Sequence, residues 1–410
     1  MFNKRKALVA LLLAFGMVAA ACGGDADTTA AEGDSDDSTE ASTDDAASND
    51  EAEDEDEGSE PDDEGSDDGE AMAEEMPGEG VSVTMAKADW ATEDPNAYVA
   101  RALLVELGYE VSDPADLELG PSNAYIAMAQ GDADFWINSW YPGHRSWLEN
   151  ELPDESLVGD HLTVVGEMML AGGLQGYLIT KSFAEEFGIT SLDDFNSNPD
   201  AIAAYDAQDP KPDNGVADIY GCQESWTCDD IITAQIAFSG WENIQQTIAG
   251  YDAMVAEAVT KADAGEPMII YTWTPSAYIT QLRPSDNVLW LEVADVIDDS
   301  NPTEAEGGEE YDQRPGIAGI GTESCPGSEG DECQLGWVAA DIQVTANTEW
   351  LEANPAAAKF LELFKMDVVE VSLLNVEMDA GAAVEDLAER WIEENRDTVD
   401  GWLEEARNAA

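Results

Sequence analysis

Positive charge is scarce in this chain. Its 410 residues hold 16 Lys and Arg against 90 Asp and Glu, a formal net charge of −74. Residues 1–80 account for 26 of the acidic and 3 of the basic side chains, so the remaining 330 residues still carry a balance of −51. That sign excludes nucleic acid as a partner, because phosphate contacts require Lys and Arg. It suits a saline medium, where salt screens self-repulsion between surface carboxylates. Histidine is rarer still, with only His144 and His161. They cannot furnish an H-E-x-x-H metal site, and neither a G-x-S-x-G elbow nor a G-x-x-x-x-G-K phosphate loop occurs. Ser146 lies close to His144, but no third orienting group accompanies the pair. The expectation is no catalytic residue, no cofactor and no enzyme.

Long apolar runs are also missing, apart from Ala7 to Val18. That run follows Lys4, Arg5 and Lys6 and precedes Ala19-Ala20-Ala21 and Cys22, the layout of a secretory signal too short to span a membrane comfortably. Residues 1–22 are therefore expected to be a signal peptide. Cys22 after small residues resembles a bacterial lipobox, with Ala19 where leucine is usual, and lipidation at Cys22 is expected. From Gly23 to Gly80 there is no Lys or Arg and almost nothing to bury. Residues 23–80 read as a disordered, self-repelling acidic tether that holds a domain off the membrane.

Only five cysteines occur. Beyond Cys22 they form two close pairs, Cys222 with Cys228 and Cys325 with Cys333. In an exported protein these are most simply two disulfides, each worth about 2–3 kcal/mol. A four-cysteine metal site is the alternative, and neither pair has the C-x₂-C spacing of zinc ligands. Asp206, Asp209, Asp213 and Asp218 around Asn214-Gly215 have the look of a calcium loop but miss its twelve-residue spacing, so an acidic turn is favoured and no metal is expected.

Tryptophan is what the chain does have, 12 of them. Three adjoin turn or capping elements in distant segments: Trp140-Tyr141-Pro142-Gly143-His144, Cys222 to Cys228 around Trp226, and Tyr271-Thr272-Trp273-Thr274-Pro275. Indoles placed there are better sited to face a ligand than to fill a core. Several such faces can enclose a quaternary ammonium, each ring attracting it by about 0.5–1 kcal/mol, or ~2 when dry. Trp90 and Trp136 are further candidates to line the same cleft. His144 can donate to a carboxylate, and the amides of Thr227 and Cys228 precede a helix expected from Asp230, where anions are favoured.

The folded part is too long for one compact core and alternates short strands with amphipathic helices, which argues α/β lobes with parallel or mixed sheets. Strands are expected over 81–85, 134–140, 176–180, 268–273 and 337–344. Helices are expected from Asp94 to Leu107, from Ser122 to Gly131, from Leu192, from Asp230 to Phe238, and over 355–364, 382–393 and 398–406.

At Ala102 to Val111, Gly131 to His144, Leu174 to Lys181, Gly221 to Cys228, Tyr271 to Pro275, Val288 to Val293 and Asn354 to Phe360, the chain resembles the substrate-binding proteins of glycine betaine/proline betaine ABC transporters. The resemblance implies a two-lobed periplasmic-binding-protein fold of type II, with a hinge and an inter-lobe cleft. Residues 81–170 and 335–410 would form one lobe and 171–334 the other. It implies a trimethylammonium box of Trp140, Trp226 and Trp273, with the ligand carboxylate held by His144 and the amides of Thr227 and Cys228. Thr227 stands where the better-known member of the family has glycine. The implied partners are a betaine and a membrane permease with its ATPase, engaged by a lipid-anchored, extracytoplasmic monomer. A choline, carnitine or proline betaine receptor, or a carbohydrate-binding module using flat indoles, remains an alternative.

Overall fold

In the computed structural model, residues 76–294 and 315–410 are described, all within the single compact unit Glu70–Ala410. The expected signal peptide, Cys22 and the acidic tether up to residue 75 lie outside the described residues.

Two sheets organise the molecule. In the first, Phe135–Tyr141 and Leu162–Gly173 pair antiparallel on either side of Ala340–Asn347. Short parallel pairs extend this half: Ser82–Val83 with Glu110–Val111, and Lys87–Ala88 with Glu118–Leu119. The second sheet has five strands in the order Val288–Leu291, Gln175–Thr180, Ile269–Trp273, Ala217–Tyr220, Ile244–Thr247. Its Gln175–Thr180 strand is antiparallel to both neighbours and its other pairings are parallel. The mixed sheet agrees with the sequence reading, whereas the three-stranded sheet is wholly antiparallel.

Each sheet has its own core. Helix Asp94–Glu106 buries Val99, Leu103 and Leu104 with Phe360, Phe364, Val399 and Leu403 from the C-terminal helices against the first sheet. Each such side chain contributes about 1.5–3 kcal/mol on full burial. The second sheet packs Leu178, Ile179, Ile219, Ile269 and Ile270 against helix Tyr251–Ala264 and its neighbours.

Helix boundaries follow local chemistry. Asp94–Glu106 has Pro95 in its first turn, where no intrahelical N–H is needed. Helix Pro121–Gln130 ends on Gly131 at φ +79°, a left-handed stop that glycine accepts without strain. Ser191 caps Leu192–Ser197 by accepting from the Asp194 amide.

Two expectations need correction. The strand expected over 337–344 is broken: Cys333–Val338 belongs with the second half, Ala340–Asn347 is the central strand of the first, and Ala339 joins them. Leu174 likewise joins Leu162–Gly173 to Gln175–Thr180. The chain thus passes between the halves at two neighbouring points, with Gly173 paired to Ala340. The helix expected from Asp230 starts three residues earlier and runs Thr227–Phe238. The sequence pattern hides the first shift, because Trp337, Val338, Ala339 and Ala340 form an unbroken buried apolar run across it. The second arises because Trp226, inside the cysteine loop, already takes the N-cap position.

Candidate functional site

The cleft is built where these two halves meet. Strand Phe135–Tyr141 carries Trp140 to its C-terminal end, and the following turn closes with the His144 amide donating to the Trp140 carbonyl at 2.8 Å. The imidazole is buried, with its plane stacked on Trp136 at 5.6 Å and edge-on to Tyr125 at 5.8 Å. Its Nδ1 accepts the Trp140 backbone N–H at 3.0 Å and lies 3.3 Å from the Tyr125 hydroxyl. Burial pulls the His144 pKa down to about 3. A neutral ring whose Nδ1 is occupied by an obligate donor must carry its proton on Nε2. His144 is thus a fixed neutral donor.

Trp140 is half-buried and donates Nε1–H to Asn138 Oδ1 at 2.6 Å. Its ring lies against the backbone of Gly173, where a Cβ would come within 2.7 Å of the indole. Only glycine accommodates that approach.

From the other half come Trp226 and Trp273. The Cys222–Cys228 disulfide closes the loop that holds Trp226, and Thr227 and Cys228 begin the helix. Their amides belong to the first turn, which has no intrahelical acceptor and favours an anion. Trp273 ends strand Ile269–Trp273. The Trp226 ring stands at 84° to Trp273 with centroids 5.5 Å apart, and at 79° to Trp90 at 5.3 Å. Near-perpendicular contacts of this kind are the edge-to-face packing that aromatic rings favour.

Trp140, His144, Trp226, Thr227, Cys228 and Trp273 all line one cavity of about 580 Å³, its open mouth included. All six sequence-chosen residues therefore converge. The second disulfide, Cys325–Cys333, also forms. Trp90 lines the cavity as well, together with Gln175 and Tyr271. Trp136 does not, although period-two alternation places it on the face of Trp140; it is fully buried behind His144, and its Nε1–H meets both Glu93 carboxylate oxygens at 3.1 Å. Glu93 is itself buried, which raises its pKa to about 8 against the opposing effects of Lys87 and two N–H donors.

Sequence reasoning missed Tyr251, which backs Trp226 and Trp273 at 5.5 and 4.6 Å and donates to the Tyr271 carbonyl. Nothing in its local sequence marks it. Tyr271 and Gln175 were within reach, since they lie inside the segments Tyr271 to Pro275 and Leu174 to Lys181.

The discounted residues have local roles. Ser146 Oγ donates to the Gly143 carbonyl rather than facing His144 as a nucleophile. His161 Nε2 pairs with Ser156 Oγ at 2.8 Å. In the acidic turn, Asp206 accepts the Asn214 and Gly215 amides, Asp209 those of Lys211 and Asp218, and Asp218 the side chains of Lys211, Asn214 and Gln245. These carboxylates hold a turn together. Trp147 donates Nε1–H to Thr227 Oγ1 at 2.9 Å across the cleft.

Comparison with known proteins places this geometry. The chain is 29% identical over 344 residues to the glycine betaine-binding periplasmic protein OusX of Dickeya dadantii, spanning 82% of this chain and 93% of the relative. It is 27% identical over 339 residues to the glycine betaine/proline betaine-binding periplasmic protein of Escherichia coli, spanning 82% and 92%. Its fold matches lactococcal OpuAC solved in a closed, liganded form with glycine betaine (TM-score 0.53, 15% identity, 79% of this chain and 99% of that one). It also matches an ABC-transporter choline-binding protein solved with choline (TM-score 0.55, 15% identity, 80% and 96%). These are two-lobed periplasmic binding proteins, the fold class read from the sequence. The family model for the substrate-binding domain of ABC-type glycine betaine transport systems matches residues 81–394, and the chain belongs to that family of binding proteins, which are not enzymes.

Proposed function

We propose that this protein captures glycine betaine in the cleft and delivers it, from outside the cytoplasm, to a membrane permease driven by an ATPase. The observation that carries the reading is the convergence of Trp140, Trp226 and Trp273 on one cavity with His144 and the amides of Thr227 and Cys228. The indoles suit a methylated ammonium, which has no N–H to leave unpaired in a dry box. The neutral imidazole and the helix N-terminus suit the carboxylate. Because a betaine is a zwitterion, the large negative charge of the chain neither steers nor repels it strongly, and short-range geometry sets selectivity.

The periplasmic relatives support an extracytoplasmic location. Cys22 is the proposed lipid anchor, residues 23–80 the tether, and the working form a monomer. The proposed lobes meet at the crossings at Leu174 and Ala339, a few residues past the expected bounds of 170/171 and 334/335, and these crossings are the proposed hinge. Among the described residues no helix is long and apolar enough to cross a membrane.

The test is a titration of intrinsic tryptophan fluorescence with glycine betaine, proline betaine, choline, carnitine and proline at high and low salt. Saturable binding of glycine betaine, with proline and carnitine much weaker, is expected. Choline binding as tight as that of glycine betaine would remove the carboxylate from the account.

A further inference from the structure

Three residues of the first lobe, Asp89, Trp90 and Thr92, reach to the aromatic box of the second. They lie in the segment 89–93 that joins strand Lys87–Ala88 to helix Asp94–Glu106. Asp89 Oδ1 accepts the Trp226 indole N–H at 2.7 Å, and its Oδ2 accepts from Gln223 Nε2 at 3.2 Å. Thr92 Oγ1 accepts the Trp273 indole N–H at 3.3 Å. Between them, Trp90 is buried, lines the cavity and stands edge-on to Trp226.

The segment is braced on its own lobe. Glu93 accepts the Ala88 amide at 2.7 Å and the Trp136 indole, Lys87 pairs with Asp94 at 2.7 Å, and the Thr92 carbonyl accepts from buried Asn375 at 3.0 Å. A braced arm on one lobe therefore carries the acceptors for two walls of the box on the other.

We infer that residues 89–92 form a closing arm, with Asp89 and Thr92 as positioning residues for Trp226 and Trp273 and Trp90 as a fourth ring against the ligand's quaternary nitrogen. The inference rests on the betaine reading above. With the lobes apart, both indole N–H groups are hydrated. In a closed, dry cleft an unmatched indole N–H is costly, so Asp89 and Thr92 make closure and box assembly one event. Both Asp89 oxygens are engaged, so Asp89 acts through Trp226 and not on the ligand. Closure energy supplied by the arm appears in the measured affinity, because only the closed state holds ligand tightly.

The experiment is a double-mutant cycle on glycine betaine affinity, by calorimetry, with Asp89→Ala, Trp226→Phe and the double variant. Phe keeps a ring but has no N–H to place. Asp89→Ala is expected to weaken binding roughly tenfold or more in the wild-type background and less than about threefold beside Trp226→Phe. The ligand-free melting temperature should stay near that of the wild type, a split that a merely structural role would not give. Thr92→Val with Trp273→Phe repeats the test at the second wall and decides it if Asp89→Ala fails to fold. Trp90→Leu should weaken glycine betaine and choline by the same factor, since both present a trimethylammonium. Unchanged affinity in both single variants, or equal losses in both backgrounds, overturns the arm while leaving the betaine reading intact. A wild type that binds no quaternary ammonium overturns both.

Discussion

Replacing His144 by alanine tests the carboxylate half of the site most directly. The Trp140 amide occupies Nδ1 at 3.0 Å, so the proton resides on Nε2 of a ring that lines the cavity. A hydrogen bond to a charged acceptor contributes about 1.5–3 kcal/mol, which corresponds to a roughly 10- to 150-fold loss of glycine betaine affinity in the variant. Choline has no carboxylate and should lose less than about threefold, since only packing changes. The same geometry fixes the pH behaviour. With its pKa near 3 the ring is neutral throughout pH 5–8, and glycine betaine affinity should be flat there.

Stability moves differently. The unfolded chain protonates this histidine below about pH 6.5 while the folded one does not, so unfolding takes up a proton. The stability associated with the neutral ring is complete above 6.5 and is lost as pH falls from 6.5 towards 3. His144→Gln should flatten that part of a denaturant-midpoint profile. Calorimetric titration of wild type and His144→Ala with both ligands at pH 5, 6.5 and 8 is the assay. An affinity that falls with rising pH through 6.5 would mean a charged imidazolium binds the ligand, and equal losses for choline would mean His144 acts only by packing; either refutes the reasoning.

Three further outcomes are expected. Trp226→Ala or Trp273→Ala should each weaken glycine betaine roughly 30-fold, from ~2 kcal/mol per desolvated ring, with the phenylalanine variants intermediate by calorimetry. Cys222→Ser with Cys228→Ser should lower stability by about 2–3 kcal/mol in denaturant titration and weaken binding through the added cost of ordering the Trp226 loop. Glu93 has the opposite sign to His144: its folded pKa is raised to about 8, so its contribution is complete below 4.5 and is lost as pH rises through 8. Glu93→Gln, compared with wild type by thermal melts at pH 5, 7 and 9, should therefore melt closest to wild type at pH 5 and above it at pH 9.

Much of this was open to a reader of the chain alone. The proline two residues after Trp140, the cysteines either side of Trp226 and the proline two residues past Trp273 are local signals that singled out three tryptophans, and the family resemblance added His144, Thr227 and Cys228; all six line one cavity. The helix starts expected at Asp94, Ser122 and Leu192 lie within one residue of those observed, and the stop at Gly131 was likewise written in residue chemistry. The pairings Cys222–Cys228 and Cys325–Cys333 followed from short spacing.

What only the tertiary structure decided are relations between distant segments. Alternation put Trp136 and Trp140 on one strand face, but which of them meets the cavity depended on Glu93, 43 residues away, offering an acceptor for the Trp136 N–H. The break at Ala339 was hidden because Trp337-Val338-Ala339-Ala340 is one continuous buried apolar run, so nothing in it marks a passage between lobes. The ring of Tyr251 behind the box and the Asp89 and Thr92 acceptors arise from contacts between separate segments, those of Asp89 and Thr92 spanning 137 and 181 residues, for which a linear pattern carries no signal. Sequence set the chemistry each segment brings; three-dimensional packing chose which of those groups share a dry space.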